Sequence, residues 1–179
     1  MFLSVPTVKA DRTIGGRKMS VERQTGVKEL QEKAVRYFCD RPSNFPTGRP
    51  YNCCESVLLA LGEYLGMSSE LISKIGTAIG AGVGLNGLLC GSVSSVAMAI
   101  GIKYGRNKAE ENPQPAWDMI DKYVASFRDK FGGVNCRQLT GLNLKTPEGL
   151  KEYFARVHDY ECTERLKFAV EKAIEILQG

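Results

Sequence analysis

The sequence predicts an all-α fold, a compact bundle of about six to seven helices, because apolar residues recur at spacings of three and four while no convincing alternating run occurs. The breaks between periodic segments support this: proline, glycine and asparagine gather where helices start and stop. Length is the third observation. A chain of 179 residues suits one ordinary domain and can bury a core without disulfides or metal. Residues 25–179 are therefore read as a single helical domain.

A first helix is expected from Val27 to Cys39, with Leu30, Ala34, Val35 and Phe38 on one face. The stretch "DRPSNFPTGRPYN" ends it with three prolines and a glycine. Asn52 is suited to cap a second helix that runs through "CCESVLLALGEYL" to Gly66. Ser68 and Ser69 open a third, which loses regularity as Gly80, Gly82, Gly84 and Gly87 accumulate. The fourth, from about Cys90 to Tyr104, carries Gly91, Ser92, Ser94, Ser95, Ala97 and Ala99, small enough to let another backbone come close. Pro115 opens a fifth, with Trp117, Tyr123 and Phe127 read as core and Gly132-Gly133 as its stop. A short turn follows from Asn135 to Leu139. Pro147 opens a helix through Val157, and Cys162-Thr163-Glu164 begins the last, striped by Leu166, Val170, Ala173, Ile174 and Leu177.

Composition excludes several classes. A hydrophobic share of 43% and a charged share of 25% are those of a folded protein. No apolar run approaches the roughly 20 residues that span a bilayer. The longest, from Val93 to Ile102, is interrupted by serines and Gly101 and stops at Lys103. The net charge of +4 is mild and its cations are scattered among acids, which argues against nucleic-acid binding. The start "MFLSVPTVKADRTIGGRKMS" lacks a signal-peptide core, so the expected location is cytoplasmic. Met19 is an equally good start, and residues 1–24 are read as a poorly ordered leader.

Six cysteines, at 39, 53, 54, 90, 136 and 162, carry the functional signal. In an intracellular protein such a set points to metal or redox chemistry more than to structural disulfides. None forms a C-x-x-C pair, so zinc-ribbon and bacterial-ferredoxin spacings are absent. Position is more telling: Cys53, Cys90, Cys136 and Cys162 each fall at an expected helix start. Free N–H groups and the helix dipole there lower a thiol's pKa. If the bundle gathers these ends, the four thiolates offer a site for an iron–sulfur cluster or, as an alternative, zinc. Cys39, near a helix end, and Cys54, on a different face from Cys53, are auxiliaries, with a disulfide between them as one use.

Other signals have bland readings. "GVGLNG" satisfies G-x-G-x-x-G, but a helix precedes it where a dinucleotide fold needs a strand. It reads better as a tight glycine turn leading to Cys90. The single histidine, His158, is read as a surface or partly packed ring, and no Gly-x-Ser-x-Gly elbow occurs.

The order "NCCESVLLAL", a glycine-rich run into "CGSVSSVAMAIGIKYG", then "FGGVNCRQLTG" and a late "ECTERL" resembles the C-GCAxxG-C-C family of redox-active proteins, over roughly residues 30–178. The resemblance implies redox activity with metal or cluster binding. A related domain in split-Soret cytochromes is associated with an iron–sulfur cluster. Residue by residue it maps the four family cysteines to Cys53, Cys90, Cys136 and Cys162. Read as Cys-Gly-Ala-x-x-Gly, the central motif has Ser92 for the alanine and Ser95 for the glycine; read literally as Gly-Cys-Ala-x-x-Gly, it has Leu89 before Cys90. No C-x-x-C-H occurs, so the haem role does not carry over. The expected function is electron transfer or redox sensing with an unidentified redox partner. A metal-free thiol–disulfide oxidoreductase or sensor, and a structural interaction bundle that homodimerises through its small-residue faces, are the alternatives.

Overall fold

A computed structural model describes residues 26–40 and 49–179, together with a two-residue antiparallel pairing of Thr13–Ile14 with Arg17–Lys18. Otherwise the expectation of a poorly ordered leader over residues 1–24 lies outside the described residues. The fold is all-α, as the sequence predicts. No helix among the described residues is long and apolar enough to cross a membrane.

Six helices build the main core. Helix α1 (Val27–Cys39) buries Leu30, Ala34 and Phe38, one stripe of a strongly amphipathic segment. Helix α2 (Cys53–Tyr64) starts at a full capping box. The Asn52 side chain accepts from the Cys54 and Glu55 N–H groups, and Glu55 accepts from the Asn52 N–H. Apolar on nearly all sides, α2 lies in the middle, packed by α1, by α3 (Glu70–Thr77) and by α5 (Gly91–Tyr104). The small face of α5 allows this. A Cβ on Gly91 would stand 2.7 Å from the Cys54 backbone nitrogen and 2.3 Å from Cys53 Sγ. Helices α6 (Gln114–Phe131) and α9 (Thr163–Gln178) close the bundle over α5. Tyr123 and Phe127 of α6 are fully buried, and the Tyr123 hydroxyl donates to the Ser92 carbonyl at 2.9 Å.

Trp117, expected in the core, is 59% exposed. It sits in the first turn of α6 beside Ala116, which packs on the main core, so helical spacing placed on the apolar face a ring that stays at its exposed rim.

A second, smaller core gathers Cys136, Leu142, Leu144 and Val157, with Ala81, Leu85, Leu150 and Tyr153 against it. Its elements are a turn here called α4 (Gly80–Val83), α7 (Cys136–Thr140) and α8 (Pro147–Glu152). A π-helix over Tyr153–Cys162 completes it.

Two of these elements depart from expectation. From Ala81 to Leu85 five successive residues have φ between 53° and 69°, so the glycine-rich run makes a left-handed helical turn. Val83 N–H bonds the Ile79 carbonyl at 3.0 Å and Gly84 N–H the Gly80 carbonyl at 2.9 Å. Left-handed geometry costs an L residue roughly 1–2 kcal/mol, and three of the five are not glycine. The second departure follows Pro147, where no break separates the last two expected helices. The chain runs from α8 through the π-helix into α9 with helical angles at Cys162. No turn residue intervenes, so the chain changes pitch without stopping.

Candidate functional site

Each of the four motif cysteines is positioned by a different element. Cys53 is the first residue of α2, directly after the Asn52 cap. Cys90 is the N-cap of α5, and Cys136 is the first residue of α7. The segments before these last two are lashed together by an isolated antiparallel bridge between Leu89 and Asn135. Cys90 N–H donates to the Val134 carbonyl at 2.8 Å, and Cys136 N–H to the Leu88 carbonyl at 2.7 Å. Cys162 closes the π-helix.

All four line one cavity of about 20 Å³, with Ala81, Ser92, Leu139, Thr140, Tyr153, Arg165 and Leu166. The cavity lies on the seam of the two cores. Cys53 and Cys90 belong to the main core, Cys136 to the smaller one, and Cys162 packs against both. Glycines bring the walls close. A Cβ on Gly91 would strike Cys53 Sγ, and a Cβ on Gly82 would stand 2.7 Å from Cys136 Cβ.

The electrostatics differ from the sequence expectation of helix-start thiols with lowered pKa values. Burial pushes Cys90 and Cys136 up to about 12, and Cys53 well above its ordinary range, with the neighbouring cysteines adding to each shift. Removing water outweighs the helix dipole, which acts only over the first turn. At Cys162 the dipole is absent as well, since no helix starts there. Burial raises this thiol, opposed by the Tyr153 hydroxyl at 3.6 Å and the Arg165 guanidinium at 3.7 Å. The backbone amides of Ala81 and Ser92 oppose the shifts of Cys53 and Cys90 respectively. The left-handed turn thus presents its first amide to a sulfur.

Arg165 is the cation in this wall and is only 6% exposed. Its Nη2 donates to the Leu139 carbonyl at 2.8 Å and to Glu161 Oε2 at 2.7 Å, while Nε is buried without a partner. Among the described residues, the buried hydroxyls without partners are Ser92 Oγ and Ser95 Oγ. Buried polar groups of this kind call for explanation. Sequence reasoning missed Arg165, Tyr153 and Ala81. Arg165 lies one ordinary helical turn after Cys162, whereas Tyr153, nine residues before it, is brought to it by the π-helix.

The remaining cysteines go elsewhere. Cys54 is buried under α5, where the Ser94 hydroxyl lies 3.9 Å from its sulfur, and burial raises its pKa to about 11. Cys39 stands at the end of α1 beside Asp159. All six cysteines are free, and Cys39 and Cys54 form no disulfide: Cys54 faces Ser94 of α5, whereas Cys39 faces Asp159 of the π-helix.

A family model described as "Putative redox-active protein (C_GCAxxG_C_C)" matches residues 51–176. The chain belongs to this family. In this C-GCAxxG-C-C protein the matched span holds all four cavity cysteines and leaves Cys39 outside. No curated protein and no solved structure matches the chain.

Proposed function

We propose that this C-GCAxxG-C-C protein holds an iron–sulfur cluster on Cys53, Cys90, Cys136 and Cys162 and uses it in electron transfer or redox sensing. The observation that carries this reading is the convergence of four thiols, three buried and that of Cys162 half-buried, from four elements on one cavity walled by an under-satisfied Arg165. An all-cysteine donor set suits iron–sulfur ligation. The cluster, when bound, would supply a one-electron couple. The chain's own part is to exclude water, to offset negative charge with Arg165 and the backbone amides of Ala81 and Ser92, and to donate from Tyr153 to Cys162.

Two measures of the donor set point different ways. A volume of about 20 Å³ takes little more than one water-sized group. Yet among the described residues no three of these sulfurs lie within 4.8 Å of one another. A single tetrahedral zinc with bonds of about 2.3 Å would hold its sulfurs about 3.8 Å apart. We give the spacing more weight, because one tetrahedral ion needs every pair of its sulfurs near that separation. Spacing wider than one zinc ion needs favours a multinuclear centre.

The test is anaerobic purification, an absorbance spectrum, and analysis for iron, acid-labile sulfide and zinc. The expected result is a brown protein with iron and sulfide that Cys90→Ser loses. A colourless, metal-free anaerobic preparation whose thiol count falls on oxidation would replace this reading with the metal-free thiol–disulfide function.

A further inference from the structure

Outside the four-cysteine cavity, one other cluster of metal-ligating side chains stands out. Cys39 Sγ, a His158 ring nitrogen and an Asp159 carboxylate oxygen all lie within 4.8 Å of one another, a compactness no other donor trio matches among the described residues. We propose that Cys39, His158 and Asp159 form a mononuclear site for a divalent transition-metal ion, separate from the four-cysteine centre and independent of what that centre binds.

Each donor is held by the fold. The π-helix places His158 and Asp159 side by side against the last residue of α1. His158 is 7% exposed, and its ring is stacked on Phe38 with centroids 4.0 Å apart at 16°. Tyr153 meets it edge-on at 5.5 Å. With its faces so covered, the ring is fixed in plane and offers its nitrogens at the edge. His158 Nδ1 lies 2.5 Å from Asp159 Oδ1, which in turn is 3.9 Å from Cys39 Sγ.

A cation bonded at about 2.0 to 2.3 Å to such donors needs them somewhat over 3 Å apart. The carboxylate of Asp159, 63% exposed, is free to turn by that amount. Burial and the neighbouring carboxylates of Asp159 and Asp40 hold the Cys39 thiol above its ordinary range, an arrangement of negative charge that a divalent cation would relieve.

The donor types select the ion class. One thiol, one imidazole and one carboxylate suit Zn²⁺, Co²⁺ or Fe²⁺, whereas Mg²⁺ and Ca²⁺ want oxygen alone and iron–sulfur clusters want mostly thiolates. Three protein ligands leave a position open, as in catalytic and not structural zinc sites. All three donors line a groove of about 560 Å³, together with Tyr51 and Leu85. At its inner end the groove shares Cys53, Ala81 and Tyr153 with the four-cysteine cavity. The groove gives the ion an entry path.

The probe is Co²⁺, titrated anaerobically into full-length, metal-free protein and followed by thiolate-to-cobalt charge-transfer absorption and by equilibrium dialysis. Cys39→Ser and His158→Gln are each expected to lose one Co²⁺ equivalent per chain relative to the unaltered protein. Cys90→Ser is expected to keep that equivalent, which separates this site from the four-cysteine one. Asp159→Asn changes an exposed side chain and leaves the fold intact. It is expected to weaken the same equivalent at least about tenfold, the scale seen when a group supporting a metal is removed. Far-UV circular dichroism identifies any variant that fails to fold. Full Co²⁺ stoichiometry with an unchanged spectrum in folded Cys39→Ser and Asp159→Asn would overturn the proposal. So would loss of all cobalt absorption in Cys90→Ser.

Discussion

Adding one methyl group at Gly91 is expected to lower stability by about 3 kcal/mol, at the upper end of what overpacking a core costs. A Cβ there meets Cys53 Sγ at 2.3 Å, the Cys54 nitrogen at 2.7 Å and Cys54 Cα at 3.2 Å. Two of those atoms are backbone of the central helix, so relief requires α2 and α5 to separate, and these are the most extensively packed pair in the protein. Moving them apart also displaces Cys53 relative to Cys90. The control lies in the same helix. A Cβ on Gly101 has no neighbour within 4 Å, so Gly101→Ala should stabilise by about 0.5–1 kcal/mol through helix propensity. Urea unfolding of both variants in the metal-free protein checks the pair. Equal midpoints would show that α2 and α5 tolerate separation.

The second large effect is expected at Arg165. Replacing it by methionine keeps the buried volume and removes the charge. In the metal-free protein this should cost little. Burying a guanidinium is itself expensive, its Nε already lacks a partner, and the main loss is the donor to the Leu139 carbonyl, about 1–3 kcal/mol. In a cluster-loaded protein the thiols are thiolates, and the cation in the cavity wall would be gone. Iron and sulfide retention after anaerobic reconstitution should then fall at least about tenfold. Arg165→Lys, which keeps a charge but not the forked geometry, should fall between. Arg165→Met with undiminished iron would assign the guanidinium to packing alone. The split between a small stability change and a large loading change separates an electrostatic role from a structural one.

The same residues show how far sequence patterns reach. The first helix, the Asn52 cap, the close-packing face of α5 and the Gly132 stop are local properties: apolar spacing, a capping side chain, small side chains and a glycine at φ 78°. Each is written in a few neighbouring residues and was legible. The four cysteines could be singled out by their order and their place after loops, and three of them do stand at helix starts. The convergence itself was not legible, because it depends on the Leu89–Asn135 bridge and on a π-helix whose ten residues look like two ordinary helices with a cap at Cys162. That misreading also hid His158. Expected at or near the surface, it is buried by its stack on Phe38, a contact between residues 120 positions apart. The thiol pKa expectation failed for a related reason. Proximity to a helix start can be seen in sequence, whereas the loss of water around a sulfur is a property of the assembled cavity.

The turn from Ala81 to Leu85 reverses a familiar rule of substitution. Elsewhere in a helix a glycine weakens the backbone, because it surrenders the most freedom on folding. Here the chain follows the mirror image of the ordinary helix, and the L-configured Cβ atoms of Ala81, Val83 and Leu85 are on the wrong hand for it. Val83 is exposed and makes the clearest case, so Val83→Gly is expected to raise the urea midpoint, where the same change in α9 would lower it. For these five residues a D-amino acid is the comfortable choice. The amide that Ala81 presents to Cys53 is held there by local chirality as much as by packing.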